Sequence, residues 1–104
     1  MVFSENTDFH DAIVHSVTVD FSFRKVVIQL SAYENSESKT RTKAECKFQG
    51  VQRFSALTNF EILFDNQLSG NVSYLSKTNK TSYLHLIGGV IEIEAEDMAI
   101  FVIY

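Results

Sequence analysis

A chain of 104 residues has room for one domain, residues 1–104, and its 45% apolar and 21% charged content is that of a folded globular protein. The net charge of −4 works against general nucleic-acid binding, which needs a basic face to neutralise phosphate. The single cysteine, Cys46, closes no internal disulfide. No charged-then-apolar leader opens the chain and no apolar run nears the roughly 18 residues of a membrane span, so a cytoplasmic setting without membrane contact is expected.

Taken in chain order, the apolar residues alternate with period two or fall in short β-branched runs, the pattern of strands. Segments 12–21 and 25–33 form the first expected hairpin. Ile13, His15, Val17, Val19 and Phe21 share one face of its first strand; Ala12, Val14, Ser16, Thr18 and Asp20 share the other. Val26, Ile28 and Leu30 point one way on the second. The polar stretch 36–42 reads as an exposed loop. Segment 42–49 alternates most cleanly, with Ala44, Cys46 and Phe48 inward and Lys43, Glu45, Lys47 and Gln49 toward water. Cys46 is therefore read as a small core residue and not as a nucleophile.

Gly50-Val51 breaks the alternation and marks a bulge or bend. Beyond it the period is mixed: Val51, Phe54, Leu57 and Phe60 recur every three residues, whereas Phe60, Ile62 and Phe64 recur every two. A short helical turn over 52–57 and a strand over 60–64 satisfy both, with turns at Asp65-Asn66 and Ser69-Gly70-Asn71. Strands over 72–76 and 82–87 flank the loop KTNKT.

Gly88-Gly89 predicts a two-residue type I′ turn, whose central residues both need positive φ. That turn sets Ile87 opposite Val90, Leu86 opposite Ile91, His85 opposite Glu92, Leu84 opposite Ile93 and Tyr83 opposite Glu94. Leu84, Leu86, Ile91 and Ile93 then make an apolar face, and Tyr83, His85, Glu92 and Glu94 a polar one. Glu96-Asp97 turns the chain into MAIFVIY, a strand apolar on both faces that needs cover from a second layer or a dimer contact.

About eight short strands without long crossovers predict an all-β domain. Its form is an antiparallel two-layer sandwich or a strongly curved, partly closed barrel, with at most one short helix. The alternative is an α+β fold with a helix near residues 51–60.

Little of the chain looks chemical. His10 and His15 are five residues apart, which puts them on opposite faces of a strand and about 140° apart on a helix, so neither element lets both hold one metal. Asp11 is expected to satisfy backbone N–H groups at the strand's start, and His15 to be buried or to line a pocket beside Ile13 and Val17. His85 opposite Glu92 is a second pair, suited to tuning a general base or to a surface contact. There is no nucleophile elbow, phosphate-binding glycine loop, CxxC or HExxH, so neither metal nor cofactor is expected and binding is favoured over catalysis. Lys39, Arg41, Lys43, Lys47 and Arg53 oppose Glu92, Glu94, Glu96 and Asp97 as two faces of opposite sign, the acidic one suited to a basic partner.

The segments FHDAIVHSVTVD, FQGVQRF, LFDNQLSGNVSY and IGGVIEIEAEDMAI together resemble a loosely defined group of small uncharacterised bacterial domains. Those domains are similar in size and composition to immunity proteins of polymorphic toxins and to gene-cassette products. The resemblance spans nearly the whole chain, implies a bacterial cytosolic binding protein and assigns no site residues. The expected function is that of a non-enzymatic interaction domain for a protein partner, either toxin-neutralising or self-associating as a homodimer. The alternative is a small-ligand-binding or hydrolytic β domain whose pocket gathers His10, Asp11, Asp65, Asn66 and Asn71.

Overall fold

The structure is a computed structural model that describes residues 8–35 and 37–102. Its elements run β1 (Asp8–Asp20), β2 (Lys25–Tyr33), β3 (Thr42–Leu57), α1 (Phe60–Asp65), β4 (Val72–Thr78), β5 (Thr81–Leu86) and β6 (Gly89–Val102). All the strands join one antiparallel sheet in the order β1-β2-β3-β6-β5-β4, curled into a half-barrel. The domain is therefore all-β with a curved sheet, and the described residues form six strands where about eight were predicted.

Alternation builds the concave side as expected. Val26, Ile28 and Leu30 of β2, Ala44, Cys46 and Phe48 of β3, and Leu84, Leu86, Ile91 and Ile93 of the β5–β6 hairpin are all buried. Each fully buried Ile, Leu or Phe side chain stabilises the fold by roughly 1.5–3 kcal/mol, so this shared face supplies most of the cohesion. Ser82, also buried, is satisfied by donating to Met98 Sδ at 3.7 Å.

The strand count falls because residues 60–64, expected as a strand, are helix, and because the expected turn at Glu96-Asp97 does not occur. Gly50 takes φ 63° and a bulge follows between Val51 and Arg53, but β3 runs on to Leu57 in register with β6. Glu96-Asp97 is no turn either, since Asp97 pairs with Gln49 inside β6. The apolar segment 98–104 is covered on one side by the core, which takes Ile100, while Phe101 lies on the other side under the Lys47 ammonium at 5.1 Å. Residues 103–104 of that segment, and Ser36 of the polar loop, lie outside the described residues.

In the middle third, helix and strand are exchanged relative to expectation. Residues 52–57 are strand, and the apparent period of three is the trace of a bulged strand whose alternation slips by one. Residues 60–65 are helix, because Asn59 accepts from the Ile62 N–H at 3.1 Å as N-cap and Asn66 closes the other end by donating to Ile62 O at 2.8 Å. These caps supply local partners to a segment that buries none of its own residues. No helix among the described residues is long and apolar enough to cross a membrane.

The β5–β6 turn also sits one residue earlier than predicted. Leu86 pairs with Gly89, His85 with Val90, Leu84 with Ile91 and Tyr83 with Glu92, so Ile87 and Gly88 form the loop. Gly88 alone carries positive φ there, at 77°, so the type I′ geometry is not adopted. Gly89 is required for a different reason: a Cβ on it would lie 2.0 Å from Leu57 O. The slip moves each partner by two positions, which leaves the apolar face intact and removes the His85–Glu92 opposition.

Between β1 and β2 the turn is fixed by Asp20 Oδ1, which accepts from the Phe23 N–H at 3.0 Å, and by Arg24 at φ 52°. Phe21, read as sharing a strand face with Ile13, Val17 and Val19, belongs to this turn and is exposed. β1 itself begins earlier than predicted and carries irregularities between Asp8 and Ile13 and between Val14 and Ser16.

Candidate functional site: an open cleft beside a braced seam

The half-barrel closes on itself at one place. β1 and β4, the two ends of the sheet order, meet where the Asn71 N–H donates to Ala12 O at 2.9 Å. The buried Asn71 side chain extends this seam: Oδ1 accepts from the Val14 N–H at 2.9 Å and Nδ2 donates to Leu63 O at 3.1 Å. Asn71 O accepts from the Ile87 N–H at 3.0 Å, so every polar group of this residue is engaged. Beside it, Gly70 at φ 110° lets the backbone pass close to Asp11. Arg41 reaches across from the start of β3, donating from Nε to Asp11 O at 2.8 Å, from Nη1 to Leu68 O at 3.1 Å and from Nη2 to Ser69 O at 3.0 Å. Its guanidinium also lies 5.4 Å from the Tyr33 ring centre.

Elsewhere the sheet stays open. The second half of β3 overhangs the end of β2, whose pairing stops at Lys25 and Gln49, and β1 does not reach it. A cleft of about 500 Å³ lies between β1 and the far end of β3, bounded by Val14 to Val17, by Ala56 and Thr58, and by Phe60, Leu63 and Phe64 of α1. Gln67, Asn71 and Ile91 complete it. Its volume falls in the range of small-molecule and side-chain sockets. Among the described residues, no carboxylate, lysine or arginine lines it; His15, Ser16, Thr58 and Gln67 are its polar fringe. Phe60 and Phe64, one helical turn apart, are 81% and 69% exposed, and Leu57 and Leu68 nearby are 70% and 92% exposed.

Of the residues singled out in the sequence, His15 and Asn71 line this cleft. His15 is neither buried nor beside Ile13. It is the extra residue of the bulge between Val14 and Ser16, which turns it outward, where Nε2 lies 2.8 Å from Ser31 Oγ. Asp11 sits at φ 61° with its carboxylate 3.2 Å from His10 Nδ1, both side chains exposed. Its side chain therefore meets its neighbour, and the expected bond to backbone N–H groups is not made among the described residues. Asp65 is exposed at the end of α1, and Asn66 caps that helix and accepts from Ser69 Oγ at 3.4 Å. The pocket expected to gather His10, Asp11, Asp65, Asn66 and Asn71 is thus not formed by their side chains; only Asn71 reaches the cleft.

His85, Glu92 and Glu94 lie on the outer face. The His85 ring stacks on Tyr74 with centres 4.1 Å apart, and Nε2 lies 3.1 Å from Ser76 Oγ. Glu94 pairs with Arg53 at 4.0 Å. The two expected faces of opposite sign do not exist as such, because the basic and acidic segments are adjacent strands, β3 and β6. Glu96 accepts from Lys80 and from Gln52, each at 2.9 Å, and the hydrogen bond to Glu96 holds the Lys80 ammonium above the usual lysine range. Cys46 is buried, and that burial pushes its thiol up to about 12, so it is a poor nucleophile.

Ala56, Thr58, Phe60, Leu63, Phe64 and Gln67 were missed as site residues because their segment was read with strand and helix reversed. The readable signal was Asn59, an N-cap residue directly before Phe60 and Glu61. No family model, no curated protein and no solved structure matches this chain.

Proposed function

We propose that this domain is a non-enzymatic binding module that receives apolar side chains of a protein partner in the cleft between β1 and α1. The observation that carries this reading is the placement of Phe60 and Phe64, both largely exposed on a helix with no fully buried residue, at the rim of a cleft of about 500 Å³ lined by no charged side chain among the described residues. Aromatic side chains held outward around a socket suit a protein interface, where a partner's apolar residues desolvate them. A toxin neutralised in the cytoplasm of a bacterium, or a second copy of the chain, is the partner class carried over from the sequence.

The test uses the product of the neighbouring gene as partner and sedimentation for self-association. Phe60→Ser with Phe64→Ser should abolish the complex or dimer, whereas Phe21→Ser with Phe23→Ser, equally exposed at the far turn, should leave it intact. A complex indifferent to the first pair would overturn the reading. A small-ligand reading is favoured by one observation, the neutral polar fringe of His15, Ser16, Thr58 and Gln67 around an apolar floor. Under it, an uncharged apolar molecule would raise the melting temperature of the isolated domain, and Phe64→Ser would cancel the rise.

A further inference from the structure

The outer face of the β4–β5–β6 sheet carries a second surface unrelated to the cleft. Register places Tyr74 beside His85, Ser76 beside Tyr83, and Tyr83 beside Glu92. Their side chains stand on the side opposite the buried Leu84, Leu86, Ile91 and Ile93. The three rings are nearly parallel: Tyr74 and His85 are 19° apart at 4.1 Å, and Tyr83 and His85 are 27° apart at 6.2 Å. Ser76 Oγ fixes the imidazole at 3.1 Å, so the platform is pinned in the absence of any partner. Tyr74 remains 53% exposed, and Glu92 closes the platform on the β6 side.

Among the acidic residues of β6, Glu92 differs from its neighbours. Glu96 is held by Lys80 and Gln52, and Glu94 faces Arg53, but the half-buried Glu92 has no hydrogen-bond or ion-pair partner among the described residues. An uncommitted carboxylate next to flat rings, on a chain of net charge −4, is complementary to a cation that can stack and hydrogen-bond together. Guanidinium meets both demands, because it is planar and its fork matches a carboxylate, whereas ammonium offers only a point charge. A single-stranded nucleic acid would stack too, but it would bring phosphates to an acidic face that lacks a basic groove.

We infer that the Tyr74–His85–Tyr83 platform with Glu92 is a docking surface for an arginine side chain of a basic partner segment. The surface is independent of the cleft, so it stands whether or not the cleft binds a protein. The experiment is an NMR titration of the whole chain with hexa-arginine, hexa-lysine and hexa-glutamate peptides at low salt. Hexa-arginine should move the resonances of Tyr74, Tyr83, His85 and Glu92 first and bind several-fold more tightly than hexa-lysine. Tyr74→Ala and Glu92→Gln, both surface changes, should each weaken it roughly two- to fivefold, the scale of one exposed cation–π or charge-assisted contact. Equal binding of the two basic peptides, shifts spread evenly over Glu96 and Asp97, or shifts at the platform with hexa-glutamate but none with hexa-arginine would each overturn it.

Discussion

The seam and the cleft adjoin along the same stretch of β1, yet they invert each other's polarity. At the seam an asparagine is buried and an arginine spends its guanidinium on three backbone carbonyls. At the cleft, phenylalanines stand in water. The buried amide is fully satisfied and explains itself as structure, because closing a curled sheet without ladder bonds leaves N–H and C=O groups that a side chain must meet. The exposed rings have no such account inside the chain. A buried polar residue with all its bonds made reads as architecture, and an exposed apolar group at a cavity rim reads as a surface for something else.

The sharpest way to break this contrast is Gly70→Ala. Its Cβ would lie 2.4 Å from Asp11 O at φ 110°, so urea unfolding should show a loss of about 3 kcal/mol or more. Next comes Asn71→Ala, which strands the Val14 N–H and Leu63 carbonyl; a loss of about 2–3 kcal/mol is expected from the same measurement. A core group outside both regions gives the scale for an unpartnered buried atom. Burial raises the folded Cys46 thiol to about 12, so its stabilising share is complete below the ordinary value of 9.0 and is lost as pH rises from there toward 12. Relative to Cys46→Ala, wild-type stability should fall by up to ~1.4 kcal/mol per pH unit in that window. The smallest effect belongs to the rim: Phe60→Ser or Phe64→Ser should change stability by less than about 0.5 kcal/mol, and a larger cost would turn the rim into structure.

How much of this was readable beforehand depended on whether neighbours along the chain decide the matter. β2 and the inward residues of β3 follow from alternation, since period two and one buried face leave a single solution. Bulges defeat that logic. One extra residue at His15 turned a face-sharing histidine outward, and one after Val51 made a strand resemble a helix. The same residues then mislocated the cleft, half of whose wall comes from the segment read in reverse. Asn71 was singled out for chemistry, and its function as closure depends on Val14, which lies 57 positions away. No local pattern announces that. Of the nine charged residues that were read as opposed faces, Lys43, Lys47 and Arg53 lie on β3 and Glu92, Glu94, Glu96 and Asp97 on β6, strands that are far apart in sequence but hydrogen-bonded neighbours in the sheet.

The seam also has a consequence for how the chain folds. β1 and β4 stand at opposite ends of the strand order, with five ladders between them, so their junction is expected to form late in folding. Closure is then expected to follow the rate-limiting barrier. Asn71→Ala should accordingly leave the refolding rate almost unchanged and appear nearly whole in faster unfolding, a φ-value close to zero at a position where the equilibrium loss is large.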